Sequence, residues 1–456
     1  MRVAGPLLSL ALAACAPLPG ASPEPAEVSR GPVIASSSLP PMLHFPVRAA
    51  AAPDRSNAEM ARDFLDLSFS LESGRALPVF TRFEGPVTLR LAGTPPPTME
   101  RDLAELLARL RAEAGIDITR TDGPEASITV EAVPRDTLAA AVPGAACFVV
   151  PRVTSWAAFT QNRRGPALDW TTLTTRTHAA VFIPADAAPQ EVRTCLHEEL
   201  AQALGPLNDL YRLPDSTFND DDIHVVLTGF DMLMLRATYA PELRSGLSRA
   251  EVAARLPAIL ARLNPAGERA GGALLPATPP GWAAQIESAL ASAASPAARR
   301  RAAREAVREA DAAGLGPPER GFARYALGRL ELGTDADAAN LAFREAARIF
   351  AEAGMPLHAA HVTLQLAGQA LASGDAEAVL RLTTPAIAAA ERGENAALLA
   401  LLMAEKAAAL RLLGRTEEAE ALTVDTIGWA RYGYGADSTV RARLSEIEGL
   451  SPAVSG

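Results

Sequence analysis

The sequence predicts two folded parts in series: an α+β domain over residues 54–264 and an all-α helical repeat domain over 282–440. Three observations lead there. Strand-like alternation and helix-like periodicity are interleaved through the first part. A stretch rich in glycine and proline, 265–281, then interrupts the chain as a linker. Beyond it the sequence is rich in alanine and leucine, and Gly333, Gly374 and Gly414 recur about 40 residues apart, as the turns of stacked helical hairpins do.

The chain begins with Arg2 and a short apolar run, Val3 to Ala14. The run is too short to span a bilayer and reads as the hydrophobic part of a signal peptide, residues 1–14. It ends Leu12-Ala13-Ala14-Cys15, which resembles the lipobox of bacterial lipoproteins. That resemblance implies cleavage before Cys15 and lipid on its thiol, so the membrane is an expected partner through Cys15. The alternative is an ordinary signal peptide with a chance cysteine. Ala16 follows rather than an acidic residue, which by the same resemblance favours the outer membrane and a periplasm-facing body. Residues 15–53 are rich in Pro, Ala and Ser and read as a disordered tether.

Composition narrows the rest. The 456 residues carry a net charge of −10, without a basic cluster interleaved with aromatics, so no nucleic-acid partner is expected. Hydrophobic residues make up 49%, enough for a substantial core. Beyond Cys15, two cysteines remain, Cys147 and Cys195. In an oxidising periplasm an even pair suggests a disulfide, against the alternative of two buried thiols.

Within the first part, Asn57 to Leu71 patterns as a helix and Val87 to Leu91 as a strand. Pro97 to Ala114 is an amphipathic helix with Leu103, Leu106, Leu107 and Leu110 on one face. Ala126 to Val133 alternates, Ala146 to Val150 and His178 to Ile183 are short strands, and a helix runs from Pro189 to Leu204 until Gly205-Pro206 stops it. Asp209 to Asp222 is a polar loop. Thr228 with Asp231, and Ser248 with Glu251, have capping-box spacing and open two further helices, the second ending near Leu263.

In the second part, Tyr325-Ala-Leu-Gly328, Leu366-Ala-Gly368 and Ala409 to Gly414 resemble portions of tetratricopeptide repeats, in a longer-helix variant. One hairpin cannot bury its own apolar face, so such repeats stack. The resemblance implies a surface for a protein or peptide partner. A plain helical bundle is the alternative. Residues 441–456 read as a tail.

The segment with the pattern of a chemical site is Cys195-Leu-His-Glu-Glu-Leu-Ala-Gln-Ala-Leu-Gly-Pro-Leu-Asn-Asp209. A metallopeptidase helix places two ligands one turn apart and a carboxylate beside the first to activate water. Starting at His197, Ala201 occupies the second ligand position. Starting at Glu198, the series Glu198-Glu199-x-x-Gln202-x-x-Gly205-x-x-Asn208 keeps every spacing of the extended motif H-E-x-x-H-x-x-G-x-x-H, with Glu, Gln and Asn for the three histidines. The candidate metal ligands are therefore Glu198, Gln202 and Asn208, and Glu199 is the candidate catalytic base. Gln202 and Asn208 are neutral amides and poor zinc ligands. Other donors lie close in sequence: His197, Asp209, Asp220, Asp221, Asp222 and His224. Calcium takes such oxygens, so zinc, calcium and no cofactor all stand open.

Together with Ser216 to Asp221 and Leu227 to Gly246, this segment is similar to an uncharacterised family of bacterial lipoprotein domains, a domain of unknown function with a zincin-like core. The resemblance spans about Asn57 to Leu263 and implies a degenerate metallopeptidase fold. Three functions follow as expectations: a non-catalytic envelope adaptor binding protein or peptide, an atypical metal-dependent hydrolase using Glu199, or a structural role in the envelope.

Overall fold

The chain was analysed as a computed structural model that describes residues 39–269 and 274–452. The expected signal peptide and Cys15 lie outside the described residues. So do the first part of the expected tether and the end of the expected tail.

Among the described residues, the first part is built on a five-stranded sheet of order β2-β1-β3-β5-β4. Its strands are β1 (Val87–Gly93), β2 (Ile118–Arg120), β3 (Ile128–Val133), β4 (Phe148–Pro151) and β5 (Ala179–Pro184). Neighbours pair in parallel except β4, which runs antiparallel to β5 and forms one edge. Strand β5 is buried along its whole length, as expected of a strand covered on both faces. Ala179, Val181 and Ile183 face the main core, whereas Ala180 and Phe182 face a smaller one made with Phe159, Leu138 and Val153.

The main core is closed by α1 (Asn57–Ser68), α2 (Met99–Glu113), α5 (Pro189–Leu204), α6 (Gly229–Thr238) and α7 (Arg249–Leu263). The leucine stripe of α2 is buried. Helices α3 (Arg135–Ala141) and α4 (Trp156–Asn162) flank the second face. Capping boxes form at Ser56 with Glu59, Thr228 with Asp231 and Ser248 with Glu251. Each satisfies two backbone groups that a helix start leaves unpaired. Strand β2 and helices α3 and α4 were not anticipated. They are too short for a periodicity to emerge.

The second part is helical and packs as a series of hairpins. Its helices are α8 (Pro280–Leu290), α9 (Pro296–Ala312), α10 (Pro317–Glu331), α11 (Ala336–Glu352), α12 (Pro356–Ala372), α13 (Ala376–Arg392), α14 (Ala396–Leu412), α15 (Thr416–Tyr434) and α16 (Asp437–Glu448). Helices α11 to α14 are each 17 residues long, so two helices and two turns account for the long repeat period. Gly374 and Gly414 end helices at φ +78° and +71°, a backbone region in which side chains are strained. The expected tail departs from the sequence reading: residues 441–448 belong to α16, because Val440 and Ile447 are buried against the preceding helices.

Residues 39–53, expected in the tether, are also packed. Phe45 is buried and stacks on Trp429 with ring centroids 4.3 Å apart. The Leu43 amide donates to the Gly428 carbonyl (3.1 Å), and Arg431 donates to the Pro40 carbonyl (2.7 Å). Further on, the Ala50 amide donates to Glu113 at 3.1 Å. This strap therefore touches α15 of the repeats and α2 of the sheet domain. A few apolar side chains among the prolines are enough to anchor it.

The two parts share a core. Tyr211 meets Trp282 of α8 edge-on (5.0 Å) and lies 6.2 Å from the ring of Phe322 of α10. His358 of α12 contacts Asp221 at 2.9 Å. The Ala396 amide at the start of α14 donates to Gln190 of α5 (2.9 Å), beside a buried Arg193–Glu394 ion pair. Tyr432 of α15 donates to Asp102 of α2 at 2.8 Å. Contacts thus come from the first helix of successive hairpins and, in the last hairpin, from α15 as well, and the polar loop before α6 packs against Trp282, Phe322 and His358 of the repeats.

Candidate functional site

Helix α5 follows β5 directly and is buried on nearly every side. Leu196, Leu200 and Leu204 point into the sheet core. At its middle, Cys195 is joined to Cys147 in a disulfide that ties α5 to the segment entering β4. At its end, Arg176 is 5% exposed and donates to the carbonyls of Gln202 (2.6 Å), Ala203 (2.7 Å) and Gly205 (2.5 Å), and to Thr81 Oγ1 (3.2 Å). A cation at a helix C-terminus satisfies carbonyls that have no partner within the helix. Burial lowers Arg176 to about 10, so it stays charged at neutral pH.

The outward side of α5 forms the floor of a cavity of about 610 Å³. Glu198, Glu199 and Gln202 come from the helix, Asp209 from the turn after it, Glu72 from the loop after α1, and Asp220 and Asp222 from the loop before α6. Phe148 and Val149 of β4, with Trp170 and Leu207, supply apolar wall. Among the described residues lining it, none is basic.

So many carboxylates without a cation shift one another. Burial raises Glu198 to about 8, with the charges of Asp222, Glu72 and Asp220 adding to it. Burial and then Glu198 push Glu199 well above the usual carboxylate range. Asp209 moves the same way, again chiefly by burial. Asp220 and Asp222 keep solvent-facing surface at the mouth, yet the surrounding protein and neighbouring acids raise both. Glu199 is 4% exposed, and among the described residues its Oε2 has no hydrogen-bond partner; neither has Asp209 Oδ1.

The residues singled out in the sequence separate here. Glu198, Glu199 and Gln202 line one cavity, and the Gln202 amide donates to Glu72 at 3.3 Å. Asn208 does not join them: its amide donates to the Asp66 carbonyl (3.1 Å) on α1. Asp209, one residue on, faces the cavity instead. His197 lies away from it, 1% exposed, with Nδ1 accepting from the Leu227 amide at 3.0 Å. His224 contacts the Pro214 carbonyl (3.2 Å), and Asp221 is drawn into the contact with His358. Among the described residues, no three His, Cys, Asp or Glu side chains converge as a metal requires. With two amides for histidines and one of them turned away, the donor set does not fit zinc.

Glu72 and Arg176 escaped the sequence reading. Glu72 is isolated in a loop, and Arg176 is one arginine among many, so neither sits in a pattern that marks it.

Residues 57–258 match the family model described as a protein of unknown function (DUF2927). This segment is a DUF2927 domain. No curated protein and no solved structure matches the chain. The DUF2927 domain takes in the whole sheet and helices α1 to α6, ends within α7 and excludes the repeats. It supplies every cavity carboxylate except Glu287, which α8 adds. No helix among the described residues is long and apolar enough to cross a membrane.

Proposed function

We propose that the protein is a non-catalytic adaptor of the bacterial envelope, held to a membrane by lipid on Cys15, in which a degenerate zincin-like domain serves as a ligand-binding body. The zincin-like reading is supported by a buried strand leading straight into the helix that carries Glu198, Glu199 and Gln202, by the turn at Gly205, and by the capped helix α6 beyond. The observation that carries the non-catalytic reading is the diversion of Asn208 to the Asp66 carbonyl. It leaves Glu198 and Gln202 without a third ligand in the motif's register. A water beside Glu199 then has no metal to acidify it.

The alternative, a peptidase acting through Glu199, draws on the unpartnered Oε2 of that residue in the cavity. One experiment separates the two. The full chain, purified without chelator, is incubated with a mixed peptide library, with and without added zinc or calcium, and the products are read by mass spectrometry. The adaptor reading expects no cleavage above background. Cleavage that disappears in Glu199→Gln would overturn it. Anchoring is tested separately: a fatty-acid label should enter the chain in its bacterial host and be lost in Cys15→Ser.

A further inference from the structure

We infer that the acidic cavity on α5 is a binding site for an organic cation, an ammonium or guanidinium group carried on an apolar stem. The inference rests on the ligand-binding reading above and names the ligand's chemistry.

Two independent observations point the same way. The first is the lining: the carboxyl groups of Glu198, Glu199 and Asp209 converge on the floor, those of Asp220 and Asp222 stand at the mouth, and no basic side chain lines the space among the described residues to compensate their ionisation. The second is the state of Glu199, which is 4% exposed with Oε2 unpartnered inside the protein. Buried polar atoms are paired as a rule, so an unpartnered carboxyl on a cavity-lining residue marks a group still short of a hydrogen-bond partner.

The donor's nature follows from shape and lining. A volume of about 610 Å³ far exceeds a single ion, and the carboxylates are not drawn together as metal ligands. Phe148, Val149 and Leu207 offer an apolar wall beside the acids, which suits the methylene stem of a lysine or arginine side chain or of a polyamine. The charged head would donate to Glu199 and Asp209, which would ionise and release their protons to solvent as it enters, and the acids at the mouth would draw it in.

The test is calorimetric titration of the full chain at low ionic strength with spermidine, with short capped peptides holding one Lys or one Arg, and with the Nε-acetyl-lysine peptide as neutral control. Saturable binding of a cationic probe is expected, with no binding of the acetylated one. Affinity should fall at least tenfold in Glu199→Gln, which keeps the shape but removes the carboxyl that a bound cation would ionise, and severalfold in Asp220→Asn at the solvent-facing mouth. Preference for spermidine or for a basic peptide identifies the source of the cation. The inference is overturned if no cationic probe binds at millimolar concentration, if both variants bind like the parent, or if only calcium or zinc binds. Mass spectrometry of the peptide after titration keeps the outcomes apart: cleaved peptide refutes the non-catalytic reading, whereas intact peptide without binding refutes this inference alone.

Discussion

Arg176 ties the turn after α5 to the rest of the sheet domain, and replacing it with methionine is the sharpest probe of how the cavity floor is held. The substitution keeps an unbranched apolar stem but removes donors to three carbonyls, those of Gln202, Ala203 and Gly205, and to Thr81. Leaving a buried acceptor bare costs about 1–3 kcal/mol each. Three carbonyls would sum to well above that, but among the described residues the guanidinium has no carboxylate partner and is itself costly to bury, which offsets part of the loss. The favourable placement of a cation at the helix end, worth about 0.5–2 kcal/mol, also disappears. The net expectation is a destabilisation of about 3–5 kcal/mol. Urea unfolding followed by circular dichroism measures it, with the slope showing whether the transition remains two-state. Arg176→Lys should fall between, because one ammonium cannot reach all the carbonyls that the planar fork reaches. A loss below about 1 kcal/mol in Arg176→Met would refute the reasoning, since it would mean that water replaces the guanidinium at no cost.

Other perturbations follow from the same structure. Cys147 and Cys195 are 48 residues apart, so opening their disulfide in a double alanine variant should cost up to about 4 kcal/mol, read as a lower urea midpoint that reductant no longer affects. Burial, then the neighbouring His358, lowers His224 and His361 to about 4, with Asp221 opposing. An unfolded chain protonates these rings near pH 6.5. As pH falls from 7 toward 4, it takes up protons that the folded state refuses, and stability should drop by about 1–3 kcal/mol per ring. A thermal midpoint that stays flat over that range would contradict this. At Gly229 a Cβ would lie 1.7 Å from the Ala51 carbonyl oxygen. Gly229→Ala should therefore lift the strap, and limited proteolysis should cut between residues 48 and 53 far faster than in the parent.

What could be read from the sequence depended on how far each signal extends along the chain. Helix α5 was placed at both ends, because Pro189 opens it and Gly205-Pro206 closes it. The caps at Thr228 and Ser248 were legible for the same reason: side chain and backbone partner are three residues apart. The third cavity residue was missed by one position. Motif spacing selects Asn208, but the chain leaves α5 through a Gly205 conformation (φ −157°, ψ −98°) that no spacing rule encodes, and Asp209 arrives instead. Glu72 enters the cavity from 126 residues before Glu198, a proximity that exists only in three dimensions. The strap reads as tether because nine prolines between 16 and 53 dominate its composition, whereas a few side chains such as Leu43 and Phe45 decide that it packs.

A free stack of helical hairpins behaves as a spring: each unit touches only its neighbours, and small rotations accumulate into large changes of curvature. This stack is fastened along its length to the sheet domain, at Trp282, Phe322, His358 and Ala396. Fastening at four successive points removes the bending mode, so the array acts as a brace. A partner could not be gripped by a change in its curvature. It would have to meet a face that the sheet domain leaves open, such as α9, where Arg301 and Arg304 are exposed, and it would meet it as a rigid surface already set at a fixed angle to the acidic cavity.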